Sequence, residues 1–305
     1  MAFYRADGAM QQELADLVAD LEAEGRAGLG ECLSLTWVRY PTSLHSWREE
    51  GWGCPLEQVG EGAHWQGNRQ RYPASVVKLV YLVAAEAWIH RQWLGSTDEL
   101  QRALADMVRD SSNDATGYVV DLLSGTTSGV ELPDRAFAEW SQQRQLVNHW
   151  LAELGWPELA ECNACQKTWG DGPYGRERQS YGESNANRNR LSSESTARML
   201  QAVMAGAIVS PPASLRMQAL LSRSLNLEQR AADPENQVDG FLGGGLPEDT
   251  QLWSKAGWMS QARHDAAYVE AEGVAPTLLV AFSEGEVCAK DETLLPEICR
   301  RLVRG

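Results

Sequence analysis

No run of 18 apolar residues occurs anywhere in the chain, so no membrane-spanning helix is expected. Positive charge is scarce. The 27 Lys and Arg stand against 42 Asp and Glu, a formal charge of −15. That argues against nucleic acid as a partner, because phosphate binding needs a basic surface. Internal repeats and low-complexity tracts are missing too. The first ten residues carry one Arg and no apolar core, so they do not read as a secretory signal. Cysteines are few for 305 residues: Cys32, Cys54, Cys162, Cys165, Cys288 and Cys299. They do not make a disulfide scaffold in a chain of this size. Cys162 and Cys165 form a single C-x-x-C, with no second pair at finger spacing and only His149 nearby. A structural zinc needs four ligands, so loop or buried thiols are the reading, with no metal and no other cofactor expected.

What is present is ordinary for a soluble globular protein: 43% apolar and 23% charged residues. The length allows one large domain or two smaller ones, with a core that needs no staples. Leu14, Leu17, Val18 and Leu21 predict an amphipathic helix over 9–26, ending near Gly28. Residues 31–40 alternate and read as a strand. A loop containing Trp47 and Trp52 follows over 41–62, then a short strand near 63–67. Residues 75–93 are apolar almost all round and predict a buried helix. Further helices are expected at 98–109, 114–123, 133–154, 193–206 and 212–224. The polar stretch 156–192 is long for a loop inside a compact domain, which marks it as functional or disordered. Residues 236–250 read as a turn region, 251–255, 264–271 and 276–283 as strands, and 291–303 as a closing helix. Strand signals thus sit at both ends of the chain. The economical arrangement is α+β: one antiparallel sheet from residues 1–70 and 246–305, flanked by the terminal helices, with an inserted all-α region over 71–245. An active site is expected at the seam.

Three short motifs carry chemistry. Ser75-Val76-Val77-Lys78 is S-x-x-K at the head of the buried helix. Positions i and i+3 share a face, so hydroxyl and amine can meet. A serine needs a base to become a nucleophile, and a desolvated lysine can be neutral enough to serve. The alternative is an N-cap serine followed by an unrelated lysine, but Lys78 lies within VVKLVYLV, where an unpaired charge is costly. Ser111-Ser112-Asn113 precedes a helix and taken alone is an ordinary cap cluster. Ser254-Lys255-Ala256-Gly257-Trp258 ends a strand, where a lysine is usually solvated.

In the order S-x-x-K, S-x-N, K-x-G, the three resemble the motif set of serine β-lactamases and penicillin-binding proteins. The chain looks like a class A β-lactamase-like member of the penicillin-recognising serine hydrolases over roughly residues 30–303, which implies the β-lactamase/transpeptidase-like fold. The resemblance assigns Ser75 as the acylated nucleophile and Lys78 as its base. Ser111 becomes the proton shuttle to the leaving nitrogen. Asn113 would hold a substrate amide and Lys78, and Lys255 would supply positive potential. The N–H groups of Ser75 and Trp258, beside Gly257, would form the oxyanion hole. Arg263 would bind a substrate carboxylate. The implied partners are a β-lactam or a D-Ala-D-Ala-like peptide, in a periplasmic or extracytoplasmic setting.

This sequence departs from the pattern in places. Ser112 stands where the family has Asp, and Ala256 where it has a hydroxyl residue. Ser111 follows Ser75 by 36 residues and Lys255 follows Ser111 by 144, a short and a long interval that imply a rebuilt helical region. Class A members place a glutamate, with an asparagine four residues later, beside the deacylating water. Glu183 with Asn187 fits E-x-x-x-N, while counting back from Leu191 at family spacing lands near Glu177. The expected activity is β-lactam hydrolysis through an acyl-enzyme, slow for want of a well-placed base. The alternatives are a D,D-peptidase or esterase on the same scaffold, and a non-catalytic descendant that binds muropeptides or a protein.

Overall fold

The computed structural model describes residues 3–45 and 60–303. The loop tryptophans Trp47 and Trp52, most of the expected 41–62 loop, and Cys54 lie outside the described residues. The chain opens with strand β1 (Tyr4–Ala6), then helix α1 (Gly8–Ala23), a single turn α2 (Leu29–Cys32), and strands β2 (Leu33–Arg39) and β3 (Gly60–Trp65). A 3-10 turn at Ala74–Val76 leads into α3 (Val77–His90). Then come α4 (Asp98–Arg109), α5 (Asn113–Ser124), α6 (Asp134–Arg144), α7 (Leu146–Glu153) and α8 (Gly175–Tyr181). Next are α9 (Ser193–Met204), α10 (Pro211–Leu221), the short strand β4 (Ser222–Arg223) and α11 (Leu227–Ala232). The chain closes with β5 (Gln251–Met259), β6 (Ala262–Ala271), β7 (Val274–Glu284), α12 (Glu286–Lys290) and α13 (Leu294–Leu302).

Local chemistry starts several of these helices. The Asp7 carboxylate accepts the Met10 N–H at 2.8 Å, Thr97 caps α4, and Ser192 with Ser195 forms a reciprocal capping box on α9. The seven strands lie in the order β1-β3-β2-β7-β6-β5-β4. Both faces of the sheet are covered, so its central strands are apolar on both sides rather than alternating. On β7, Leu279 and Ala281 pack with α1 and α13, alongside Leu14, Leu17 and Ile298. Leu278, Val280 and Phe282 face the other way, into the core built by α3 and α9.

The structure corrects the expected pattern at three points. The sheet is mixed, because β1 runs parallel to β3 while every other pair is antiparallel. A strand of three residues is too short to show a period. The expected helix over 133–154 is two helices that meet at Gln145, whose backbone leaves the helical range (φ −84°, ψ 1°). α6 buries Trp140 and Arg144, whereas α7 buries Val147, Trp150 and Leu151, and the break lets the two stripes aim differently. The three C-terminal strands run longer than expected because two-residue turns join them, one of which uses Gly273 at φ +74°. Buried polar residues on them, Lys255, Arg263, His264 and Asp265, mask the strand pattern.

The polar stretch 156–192 is pinned by its own amides. Asn163 donates to the carbonyls of Asn187 and Arg188, and Asn189 Oδ1 accepts the N–H groups of Cys165 and Gln166. Asn163 and Arg190 bridge as strand partners, as do Arg71 and Leu191. Such bonds satisfy backbone that no helix or sheet serves. Cys165 is buried within this web and donates to Asn163 Oδ1 at 3.2 Å. Burial pushes its thiol up to about 11, away from reactivity. Among the described residues no helix is long and apolar enough to cross a membrane.

Candidate active site

The path into Ser75 is set by its neighbours. Pro73 and a left-handed Ala74 (φ 46°) turn the chain sharply, and the 3-10 turn then presents Ser75, half-buried, at the head of α3. A left-handed non-glycine residue is strained and persists only where its surroundings hold it. Strand β5 supplies that support. A Cβ on Gly257 would stand 2.9 Å from Pro73 O, Ser75 N and Val76 N, so only glycine lets β5 run this close to the Ser75 turn. β4 pairs only with Leu252 and Trp253, which frees the rest of that β5 edge for this contact.

Lys78 points from α3 toward the start of α5 and is fully buried. Its ammonium donates to Ser111 O, to Ser111 Oγ at 3.2 Å and to Asn113 Oδ1 at 3.0 Å. Ser111 is the second left-handed non-glycine residue here (φ 57°), a backbone setting that turns both its oxygens toward the lysine. Ser112 caps α5 by accepting the Ala115 N–H at 3.1 Å, work that serine and aspartate do about equally well. That accounts for serine in the middle of this motif. Lys255, on β5 and also fully buried, reaches Ser111 Oγ from the other side at 3.1 Å and donates to Gln237 Oε1 and Ala256 O. One hydroxyl is thus shared by two buried lysines.

Neither amine keeps its ordinary basicity. Burial lowers Lys78 to about 7, with the Glu235 carboxylate acting weakly in the opposite direction. Burial also drives Lys255 well down, reinforced by the charges of Lys78 and Arg223 and opposed by Asp265. Asp265 sits buried on β6, accepts the Leu242 N–H, and is itself pushed up to about 7 by burial.

Two cavities meet at Ser75, and both are bordered by Asn113 and Trp258. The first, about 470 Å³, adds Ser111, Gln237, Ala256 and Arg263. The second, about 580 Å³, adds Tyr72, Thr168, Trp169, Arg178 and Arg188. Trp258 is 59% exposed at their junction, with its indole N–H tied to Ala289 O at 3.2 Å. Arg263 is buried at the wall of the first cavity. It donates to Ala289 O at 2.9 Å and Gly240 O at 3.2 Å, and it pairs with Glu292 at 3.4 Å.

The structure therefore brings Ser75, Lys78, Ser111, Asn113, Lys255, Gly257, Trp258 and Arg263 to one cleft. Glu183 is not part of it. It is exposed on a 3-10 turn and borders neither cavity. Asn187, its expected partner, turns inward and donates to Ser180 O. The E-x-x-x-N match fails because Ser184 and Asn185 are both left-handed, so the segment is not a helix that would put its ends on one face. Glu177 is no better placed. It is fully buried, bonded to Arg144 and to Ser128 Oγ at 2.8 Å, with Lys167 at 3.9 Å. Among the described residues no carboxylate borders the second cavity.

Sequence reasoning missed Gln237, which lay in an apparent turn, and the arginines of the polar stretch. No local pattern marks them. Gln237 acts at a distance, joining Lys255 to the carbonyls of Val108 and Arg109.

Solved structures share this architecture. The beta-lactamase from Sphaerobacter thermophilus superposes with a TM-score of 0.62 at 17% identity, covering 95% of this chain and 94% of its own. PBP-A gives 0.61 at 15% identity, covering 98% and 96%. A beta-lactamase from Xanthomonas campestris gives 0.61 at 17%, covering 94% and 96%. At these identities the likeness establishes the β-lactamase/transpeptidase-like fold. No curated protein matches the chain in sequence. The sequence model of the beta-lactamase enzyme family matches residues 86–304, which takes in Ser111, Asn113 and Lys255 and begins just after the S-x-x-K helix turn. With well over half the chain matched and the fold in agreement, the chain belongs to the beta-lactamase enzyme family.

Proposed function

We propose that this β-lactamase-like hydrolase works through an acyl-enzyme on Ser75, formed from a β-lactam or a D-Ala-D-Ala-like peptide, and that it releases the acyl group slowly. The observation that carries the reading is the Ser111 hydroxyl held between two desolvated lysines beside the strained Ser75 turn. With a pKa near 7, Lys78 is substantially neutral at physiological pH and can take the proton of Ser75 as its oxygen bonds the carbonyl carbon. The proton then has a short route through Ser111 Oγ to the leaving nitrogen. The Gly257 contact sets β5 against the Ser75 N–H, and the N–H groups of Ser75 and Trp258 would serve the developing oxyanion.

Slow release rests on a different observation. Fast hydrolysis of the ester needs a water held by a base of suitable pKa, and the second cavity offers arginines where a carboxylate would be required. This favours penicillin-binding behaviour, such as that of a D,D-peptidase, over efficient resistance chemistry. Intact-mass spectrometry during incubation with benzylpenicillin tests both parts. A penicilloyl adduct on Ser75 that persists for minutes is expected, with none on the Ser75→Ala protein. Absence of any adduct would remove the acyl-enzyme reading, and an adduct that turns over within milliseconds would remove the slow-release part.

A further inference from the structure

The second cavity has an unusual charge balance for so acidic a protein. Two arginines, Arg178 and Arg188, border it, and no carboxylate does so among the described residues. Three acids of the surrounding stretch lie elsewhere. Glu177 is buried against Arg144, Glu183 faces solvent, and Asp171 borders a neighbouring cavity. Arg188 is half-buried, stacked on the Tyr72 ring with its guanidinium carbon 3.5 Å from the ring centre. Its hydrogen-bonding contact is the weak thioether acceptor Met259 Sδ at 3.8 Å. Arg178 donates to the neutral Asn185 Oδ1 at 2.8 Å. A guanidinium has five donors in a fork that matches a carboxylate, and among the described residues neither the exposed Arg178 nor the half-buried Arg188 is paired with an acid. Thr168, 6% exposed at the same wall, has a buried hydroxyl with no partner among the described residues.

The position of this cavity says which part of a substrate would reach it. On the acyl-enzyme reading Ser111 Oγ passes the proton to the leaving group, so the leaving group would project into the first cavity, where Ser111 lies. The acyl portion must then extend the other way, past Asn113 and Trp258, into the second. Tyr72 and Met259, which hold Arg188, immediately flank the nucleophile turn and the end of the oxyanion strand, so the cation is fixed relative to the reacting carbonyl. We propose that this cavity is a subsite for a carboxylate on the acyl portion of the substrate, bound by Arg188 and Arg178 with Thr168, so that the enzyme selects anionic acyl donors. The proposal deepens the acyl-enzyme reading and rests on it for the direction of the substrate.

The experiment separates the two. The Ser75→Ala protein is titrated with 4-carboxybenzoyl-glycinamide and with its neutral 4-carbamoyl analogue. Charge-assisted bonds predict roughly 10- to 100-fold tighter binding of the carboxylate. Adding Arg178→Gln and Arg188→Gln should bring that ratio to about 1. The wild-type protein is then offered the matching N-acylglycyl thioesters, in which the serine oxygen bonds the acyl carbon and the thiolate leaves. The ratio of acylation rates should show the same preference and lose it in the double variant. Equal binding of the two amides, or a preference that survives both substitutions, overturns the subsite. Carboxylate binding with no acylation by either thioester would leave the anion site standing and remove the acyl-enzyme reading instead. Acylation without preference would do the reverse.

Discussion

The two halves of the cleft are made of different material. On the leaving-group side, the polar atoms ride on regular elements: Lys78 on α3, Asn113 at the first turn of α5, Lys255 in the middle of β5. Lys78 bonds Asn113 directly, and Ser111 Oγ links Lys78 to Lys255. On the acyl side, the wall is largely the polar stretch 156–192, held by amide bonds among its own residues and by a buried ion pair, with Leu159, Ala164 and Leu191 tying it to the core. A site on helices and strands holds its geometry within tenths of an ångström, whereas a loop wall changes with few consequences for the core. The chemistry of acylation is therefore expected to depend steeply on the first half. The choice of acyl group and the fate of the ester should depend on the second.

The largest expected effect tests the first half at its base. Lys78→Ala should slow acylation by nitrocefin about 1,000-fold, the size of a lost general base. In the wild-type protein the acylation rate should rise with pH through about 7 and then level off. On the proposed mechanism the neutral amine is the base, and protonation below that pH would remove it. A flat profile between pH 5.5 and 8.5 would assign the proton to another group.

The same half offers a subtler break. In Gly257→Ala the added methyl would meet backbone atoms of Pro73, Ser75 and Val76 at 2.9 Å, and backbone cannot swing aside. β5 must shift off the nucleophile turn, and a displacement of about 1 Å can cost roughly 100-fold. The expected result is acylation down about 100-fold with a melting temperature changed by only a few degrees. Unchanged kinetics would show that the approach of β5 does not matter to the reaction.

How much of this was legible in the sequence follows the same division. Ser75 and Lys78 are one helical turn apart, so their meeting is local geometry. Lys255 lies 144 residues beyond Ser111, yet its motif could be matched because β5 is a regular strand with a glycine forced by close approach. The sheet, the terminal helices and the helical insert were readable from hydrophobic period, whereas the parallel β1 was too short to have one. In the polar stretch there is no period at all. Whether Glu177 or Glu183 turns inward depends on Arg144, 33 residues upstream on a helix whose end the sequence did not reveal, and on two left-handed residues, Ser184 and Asn185. Arg178 and Arg188 looked like any charged loop residues because their lack of an acid partner among the described residues is a property of the folded cavity.

The acyl half is tested at its anchor by Glu177→Gln. Breaking a buried ion pair typically costs about 3–5 kcal/mol, because one charge is left uncompensated. Here Asp121 remains 3.2 Å from Arg144, so a loss of about 2 kcal/mol is expected in chemical denaturation. The acylation rate should fall far less than in Gly257→Ala, since Glu177 supports the loop wall and touches no reacting atom. A collapse of acylation with stability unchanged would contradict the division between the halves.

The smallest effect is expected from Glu183→Gln, and it decides most about the family comparison. By spacing alone, Glu183 with Asn187 is the pair that ought to hold a deacylating water. In the structure its carboxylate is exposed, and the asparagine is turned into the amide web of the polar stretch. An exposed carboxylate away from the cleft touches no reacting group, and surface substitutions of this kind usually change stability by less than about 0.5 kcal/mol. Acylation, deacylation and the melting temperature should each match the wild-type protein to within about twofold or one degree. If the penicilloyl adduct instead persisted ten times longer in Glu183→Gln, the polar stretch would have to swing inward during the reaction. The acyl half would then be a moving part rather than a fixed wall, and the slow release proposed for this enzyme would need another cause.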